Sequence, residues 1–84
     1  MELKDTIEMM QSEDYKERFK AEYLQTKIRY DKLHKMLIKA EAGTLDFEPT
    51  CSRLLLRKQE YAMLGYLRSL EARAEAEGID LTSI

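Results

Sequence analysis

The sequence predicts an all-α fold, and three observations carry that expectation. Its 84 residues include only three Gly, one Pro and no Asn, too few turn formers for an all-β chain. Apolar residues recur in steps of three and four over two long stretches, the spacing of a buried helical seam. The two stretches are separated by one short connector that holds Gly43 and Pro49. Together these predict an antiparallel helical hairpin of two long helices plus a short N-terminal helix, assembling into a helical-bundle oligomer. One helical domain spans residues 1–84, with residues 1–11 as an accessory segment and 12–81 as the hairpin.

The first helix is expected over about residues 2–10, where Leu3, Ile7 and Met10 recur at helical spacing. It is too short to stand alone in water and must dock. The second is expected over 13–42. Ser12 reads as its N-cap, and Glu13 and Asp14 put negative charge where the helix dipole favours it. Its seam runs Phe19, Tyr23, Thr26, Tyr30, Leu33, Leu37 and Ala40, broadened by Leu24, Ile28 and Met36. Gly43 has the place of a left-handed helix stop.

In the connector, Pro49 pushes Glu48 toward extended geometry. Leu45 and Phe47 are expected to plug the open end of the hairpin, and Thr50 or Ser52 to cap the third helix. That helix is expected over 52–77, with a seam of Leu56, Gln59, Met63, Tyr66, Leu70 and Arg73, widened by Leu55, Ala62, Leu67 and Ala74. Leu54, Tyr61, Gly65 and Arg68 lie on another face of it. A Gly inside a helix costs about 0.5–1 kcal/mol relative to Ala and is tolerated where a second backbone approaches. Gly78 ends the helix, and Ile79, Leu81 and Ile84 are apolar residues able to fold back.

Composition narrows the function. At 44% hydrophobic and 36% charged, the chain is not a disordered tail. The lone Cys51 cannot form an intrachain disulfide, which small secreted domains generally need. No apolar run approaches the roughly 18–20 residues of a membrane span, and the charged start is no signal peptide. A reducing cytoplasm is the expected setting. The net charge of −2 conceals a basic middle: residues 15–39 hold eight bases against three acids, while both flanks are acidic. Nucleic-acid-binding domains are basic as a whole, so no long nucleic acid is expected as partner.

Catalytic chemistry has little to work with. His34 and Cys51 are the only residues of their types and lie in different segments, so neither a nucleophilic pair nor a zinc site is expected. Asp31-Lys-Leu-His34 is one distant echo of a carboxylate–histidine metal motif. The glycines stand singly and form no phosphate loop. Neither an enzyme nor a cofactor is expected, which leaves binding. Tyr23, Tyr30, Gln59, Tyr66 and Arg73 are polar side chains on the seams, with Arg53 and Arg57 at the start of the third helix. Either they satisfy one another in a hydrogen-bonded core, or they form a ligand site. In a ligand site, tyrosines would stack on a base, Gln would read its edge and Arg would take phosphate. The spare apolar faces predict self-association.

Residues 14–81 resemble a family of small helical accessory proteins of phages and prophages, found in crAss-like phages, whose function is unknown. The resemblance rests on Asp14-Tyr-Lys-Glu-Arg18, Leu33-His-Lys-Met-Leu37 and the connector Leu45-Asp-Phe-Glu-Pro-Thr-Cys51. It continues through Leu55, Leu56, Gln59, Met63, Tyr66 and Leu70-Glu-Ala-Arg-Ala74. It carries no transferable site residues. It implies a phage accessory protein acting in the bacterial host cell, where short non-catalytic proteins counter host defence. Two functions fit: sequestration of a small nucleotide-type immune signal of the cyclic nucleotide or cyclic ADP-ribose class, or a protein-interaction module. The module would inhibit a host defence enzyme or bridge phage components.

Overall fold

The computed structural model of the chain describes residues 1–82, so Ile84 lies outside the described residues. Every regular element among them is helical. A 3-10 turn, Leu3–Thr6, runs into a single α-turn, α1, Ile7–Met10. The long helices are α2, Tyr15–Ala42, and α3, Arg53–Glu77.

The caps explain these bounds. Asp14, not Ser12, is the N-cap of α2, accepting the Lys16 N–H at 3.0 Å. Ser12 stands two residues back, its hydroxyl accepting from the Asp14 N–H at 3.1 Å. Ser52 caps α3 by accepting from the Leu55 N–H at 3.2 Å. Gly43 and Gly78 follow the two helices in the left-handed region, at φ 78° and 70°. In that conformation the N–H of Thr44 reaches back to Lys39 O at 2.9 Å, and that of Ile79 to Ala74 O at 2.8 Å. The second reversal matters for packing, because it drops Ile79 onto Ala74 and buries it.

Side-chain pairs between the long helices occur in reverse order: Tyr15 with Glu77, Tyr23 with Glu71, His34 with Glu60 and Glu41 with Arg57. The two helices therefore lie antiparallel. Phe19, Tyr23, Leu67, Leu70, Ala74 and Ile79 form the main core, with Tyr30 and Leu81 against it. Burying each large side chain here contributes about 1.5–3 kcal/mol. The core occupies the end of the pair near the C-terminal tail. Leu37 and Ala40 continue the α2 seam toward the connector.

Two seams turn differently from the spacing. On α3, Gln59, Tyr66 and Arg73 are exposed, as are Leu55 and Ala62. The buried positions are Glu60, Leu67, Leu70 and Ala74. Leu56, Met63 and Leu70 belong to both patterns, so a shift of one residue at the other positions keeps the heptad and changes what it buries. In the N-terminal segment Ile7 and Met10 are exposed, and Thr6 is buried instead, its hydroxyl donating to Leu3 O at 2.7 Å.

That segment docks on a second strip of α2. Arg18 Nη1 donates to Ser12 O at 2.8 Å and Gln25 Nε2 to Met10 Sδ at 3.4 Å. Ala21, between them on the same strip, is fully buried. Thus α2 is covered on two sides, while α3 contacts only α2 among the helical elements. The molecule is a rod of 43 × 25 × 19 Å with a radius of gyration of 14.9 Å. A compact chain of this length would measure about 12 Å.

Candidate functional site

The seven residues that the sequence proposes as ligand contacts are spread along this rod. Tyr23 and Arg73 lie at its tail end. The Tyr23 hydroxyl donates to Glu71 Oε2 at 2.9 Å. Burial, reinforced by that carboxylate, pushes its pKa up to about 12. Arg73 sits 4.9 Å above the Phe19 ring, donates to the Tyr15 hydroxyl at 2.8 Å and pairs with Glu77 at 3.3 Å. Tyr15 in turn donates to Glu77 at 2.9 Å, and that bond to a carboxylate raises its pKa. Both predicted contacts are thus members of a satisfied network.

Tyr30 lies mid-rod, stacked on His34 with centroids 5.6 Å apart and planes 8° from parallel. His34 Nδ1 is 2.6 Å from Glu60 Oε2, and Glu60 is buried between the helices. Arg57 supports the same carboxylate at 3.7 Å and reaches Glu41 at 2.9 Å. A lone buried carboxylate would cost several kcal/mol, and this cluster is the compensation. Gln59 and Tyr66 are exposed on α3, and Arg53 is exposed at its first turn. No single surface of one chain gathers all seven.

The connector end is built differently. Leu45 is half-buried, but Phe47 does not plug the helix pair: it is 54% exposed. It lines more than one recess. One, of about 360 Å³, is floored by Met36 and Leu45 and edged by Lys32, Lys35, Lys39, Thr44 and Asp46. Another, of about 270 Å³, shares Leu45 and Phe47 with it and includes Glu48, Ser52 and Arg53. Lys32, Lys35 and Lys39 are spaced i, i+3 and i+7, which places all three on one face of α2. None of them makes an ion pair among the described residues. Asp46 is the one carboxylate on that rim.

A larger recess, about 560 Å³, lies at the tail end, between Tyr23 and residues 78–82. Glu71, Glu75 and Asp80 line it and no cation does. Its charge opposes a phosphate, whereas the connector recess attracts one. The spacing of the three lysines was visible as part of the basic middle. What the sequence did not reveal is that the connector folds back to set Phe47 beside them.

Residues 13–76 match the family described as Sequestin. The chain belongs to the Sequestin family. The match takes in α2, the connector and all but the last residue of α3, and so every residue of the lysine–Phe47 recess. Neither the curated proteins nor the solved structures hold a match to the chain. Among the described residues no helix is long and apolar enough to cross a membrane, and no group of His, Cys, Asp and Glu is placed to hold a metal ion.

Proposed function

We propose that this Sequestin-family chain is a phage-encoded anti-defence protein. It acts as a homo-oligomer of helical hairpins in the host cytoplasm, binding and sequestering a small nucleotide-type immune signal without catalysis. The observation that carries this reading is the connector recess: three unpaired lysines on one helix face beside a solvent-facing phenylalanine. Ammonium groups serve a phosphate as point charges, and an aromatic ring stacks on a base for about 1–3 kcal/mol. Arg53, in the adjoining recess that Phe47 also lines, provides a further cation. A recess of about 360 Å³ is at the lower end of the range for small-molecule sites, enough for one nucleotide unit. The family's description agrees with sequestration as the outcome of binding.

A sponge needs affinity and no chemistry, and this recess fits that division. Its polar groups are three cations, the Thr44 hydroxyl and the Asp46 carboxylate, and His34 and Cys51 are not among its lining residues. Calorimetric titration with cyclic dinucleotides, cyclic trinucleotides and cyclic ADP-ribose isomers tests the proposal. The expected result is heat with one class, with the ligand recovered intact after denaturation. No heat and no thermal shift with any class, or recovery of a degraded nucleotide, would overturn it.

A further inference from the structure

The outward face of α3 has no partner among the described residues, and apolar and small side chains outnumber the charged ones on it. Leu54 is 66% exposed and Tyr61 71%. At 100° per residue, Leu54, Lys58, Tyr61, Gly65, Ser69, Ala72 and Ala76 project opposite the Leu67–Ala74 seam that packs on α2, with Arg68 at the edge of the face. Gly65 points directly away from α2, and a Cβ built there meets nothing within 4 Å. No backbone of the same chain therefore explains the glycine. It also occupies the midpoint of α3, twelve residues from either end.

We infer that this face binds a second copy of the chain, through α3 helices that cross antiparallel at Gly65 about a two-fold axis. The inference rests on the oligomeric part of the function proposed above and specifies its surface. In such a pairing residue i lies opposite residue 130 − i of the second copy. Leu54 then meets Ala76, Lys58 meets Ala72 and Tyr61 meets Ser69, so each long side chain of one half faces a small one of the other. Glu75 shares a flank with Arg57 of the second copy, so charges of opposite sign approach one another. A parallel crossing would instead set Leu54 on Leu54 and Tyr61 on Tyr61, and like charge on like.

The exposed area agrees with a covered face. The chain exposes 6041 Å², against about 5,200 Å² for a compact monomer of 9.9 kDa. The excess of about 800 Å² is what one partner contributes to a standard interface. The crossing also brings the second copy's α3 C-terminus beside Ser52 and Arg53, at the connector end where the proposed ligand recess lies.

Light scattering on the purified chain and two variants tests this. Wild type is expected at twice the 9.9 kDa of one chain. Gly65→Lys places a charge at the crossing, on a site with room for a side chain and in a helix that favours Lys over Gly. It is expected to be monomeric with undiminished helicity. In a Cys51→Ser background, Gly65→Cys is expected to form a disulfide dimer on mild oxidation. Tyr61→Cys is not, because its copy lies about 12 Å further along the axis and a disulfide spans less than about 7 Å between Cα atoms. A wild-type monomer at all concentrations would overturn this interface together with the oligomer. An oligomer whose mass Gly65→Lys leaves unchanged would overturn the interface alone. Linkage through Tyr61→Cys as well as Gly65→Cys would overturn the antiparallel crossing.

Discussion

The tail end and the connector end of the rod hold similar residue types and use them in opposite ways. At the tail end Tyr15, Tyr23, Glu71, Arg73 and Glu77 are hydrogen-bonded to one another around Phe19. Each of these side chains has a partner, and no buried polar side-chain atom among the described residues lacks one. At the connector end Lys32, Lys35, Lys39 and Phe47 face solvent around a recess. The difference separates stability from recognition. A polar residue on a seam signals a ligand only when its partners are missing, because a satisfied donor has little left to offer.

That contrast can be broken from either side. The largest stability effect is expected at the tail end, where Leu70 is 1% exposed. Leu70→Ala should cost about 2–5 kcal/mol in a chemical denaturation experiment. A loss near zero would mean that the core lies elsewhere. At the connector end, Lys35→Glu with Lys39→Glu should weaken nucleotide binding by about 100-fold, or ~2.7 kcal/mol. It should leave the melting temperature nearly unchanged, because neither lysine has an ion-pair partner among the described residues to lose. Glu60→Ala should destabilise by about 1–3 kcal/mol, since it strips the buried acceptor from His34 and Arg57. Paired measurements on Glu60→Ala, His34→Ala and the double variant would show non-additive losses if the cluster acts as one unit.

The smallest effect concerns Tyr23. Tyr23→Phe removes one hydrogen bond and should cost about 1 kcal/mol. It should also change the alkaline limb of the stability profile. Tyr23 ionises at about 12 in the folded chain against about 10 when unfolded. Its contribution is therefore complete below pH 10 and disappears as pH rises toward 12. The phenylalanine variant should lose stability less steeply over that window, and identical slopes would contradict the raised pKa.

Much of the fold was legible because breakers and seams agree. Gly43, Pro49 and Gly78 sit at the joints, and the α2 seam from Phe19 to Ala40 is buried or half-buried throughout. The α3 seam was harder for a physical reason. Burying Glu60 makes sense only once His34 and Arg57 are known to reach it, and His34 comes from the other long helix. Spacing alone favoured Gln59, Tyr66 and Arg73, which cost less to bury unaided. The candidate site was legible only in charge. The basic middle pointed to α2, but Phe47 joins the lysines through the path of the connector, which periodicity does not encode. The partners of Tyr23 and Arg73 were not legible, because Glu71, Glu77 and Tyr15 approach from the facing helix or the next turn.

The central claim is that the connector recess, not the tyrosine-lined seam, holds the sequestered signal. Its most direct test is calorimetric titration of cyclic dinucleotides and cyclic ADP-ribose isomers into wild type, Phe47→Ala with Lys39→Glu, and Tyr23→Phe with Arg73→Lys. The account predicts heat with wild type, at least a tenfold loss in the connector variant and wild-type affinity in the seam variant. Affinity that survives in the connector variant and collapses in the seam variant would contradict it.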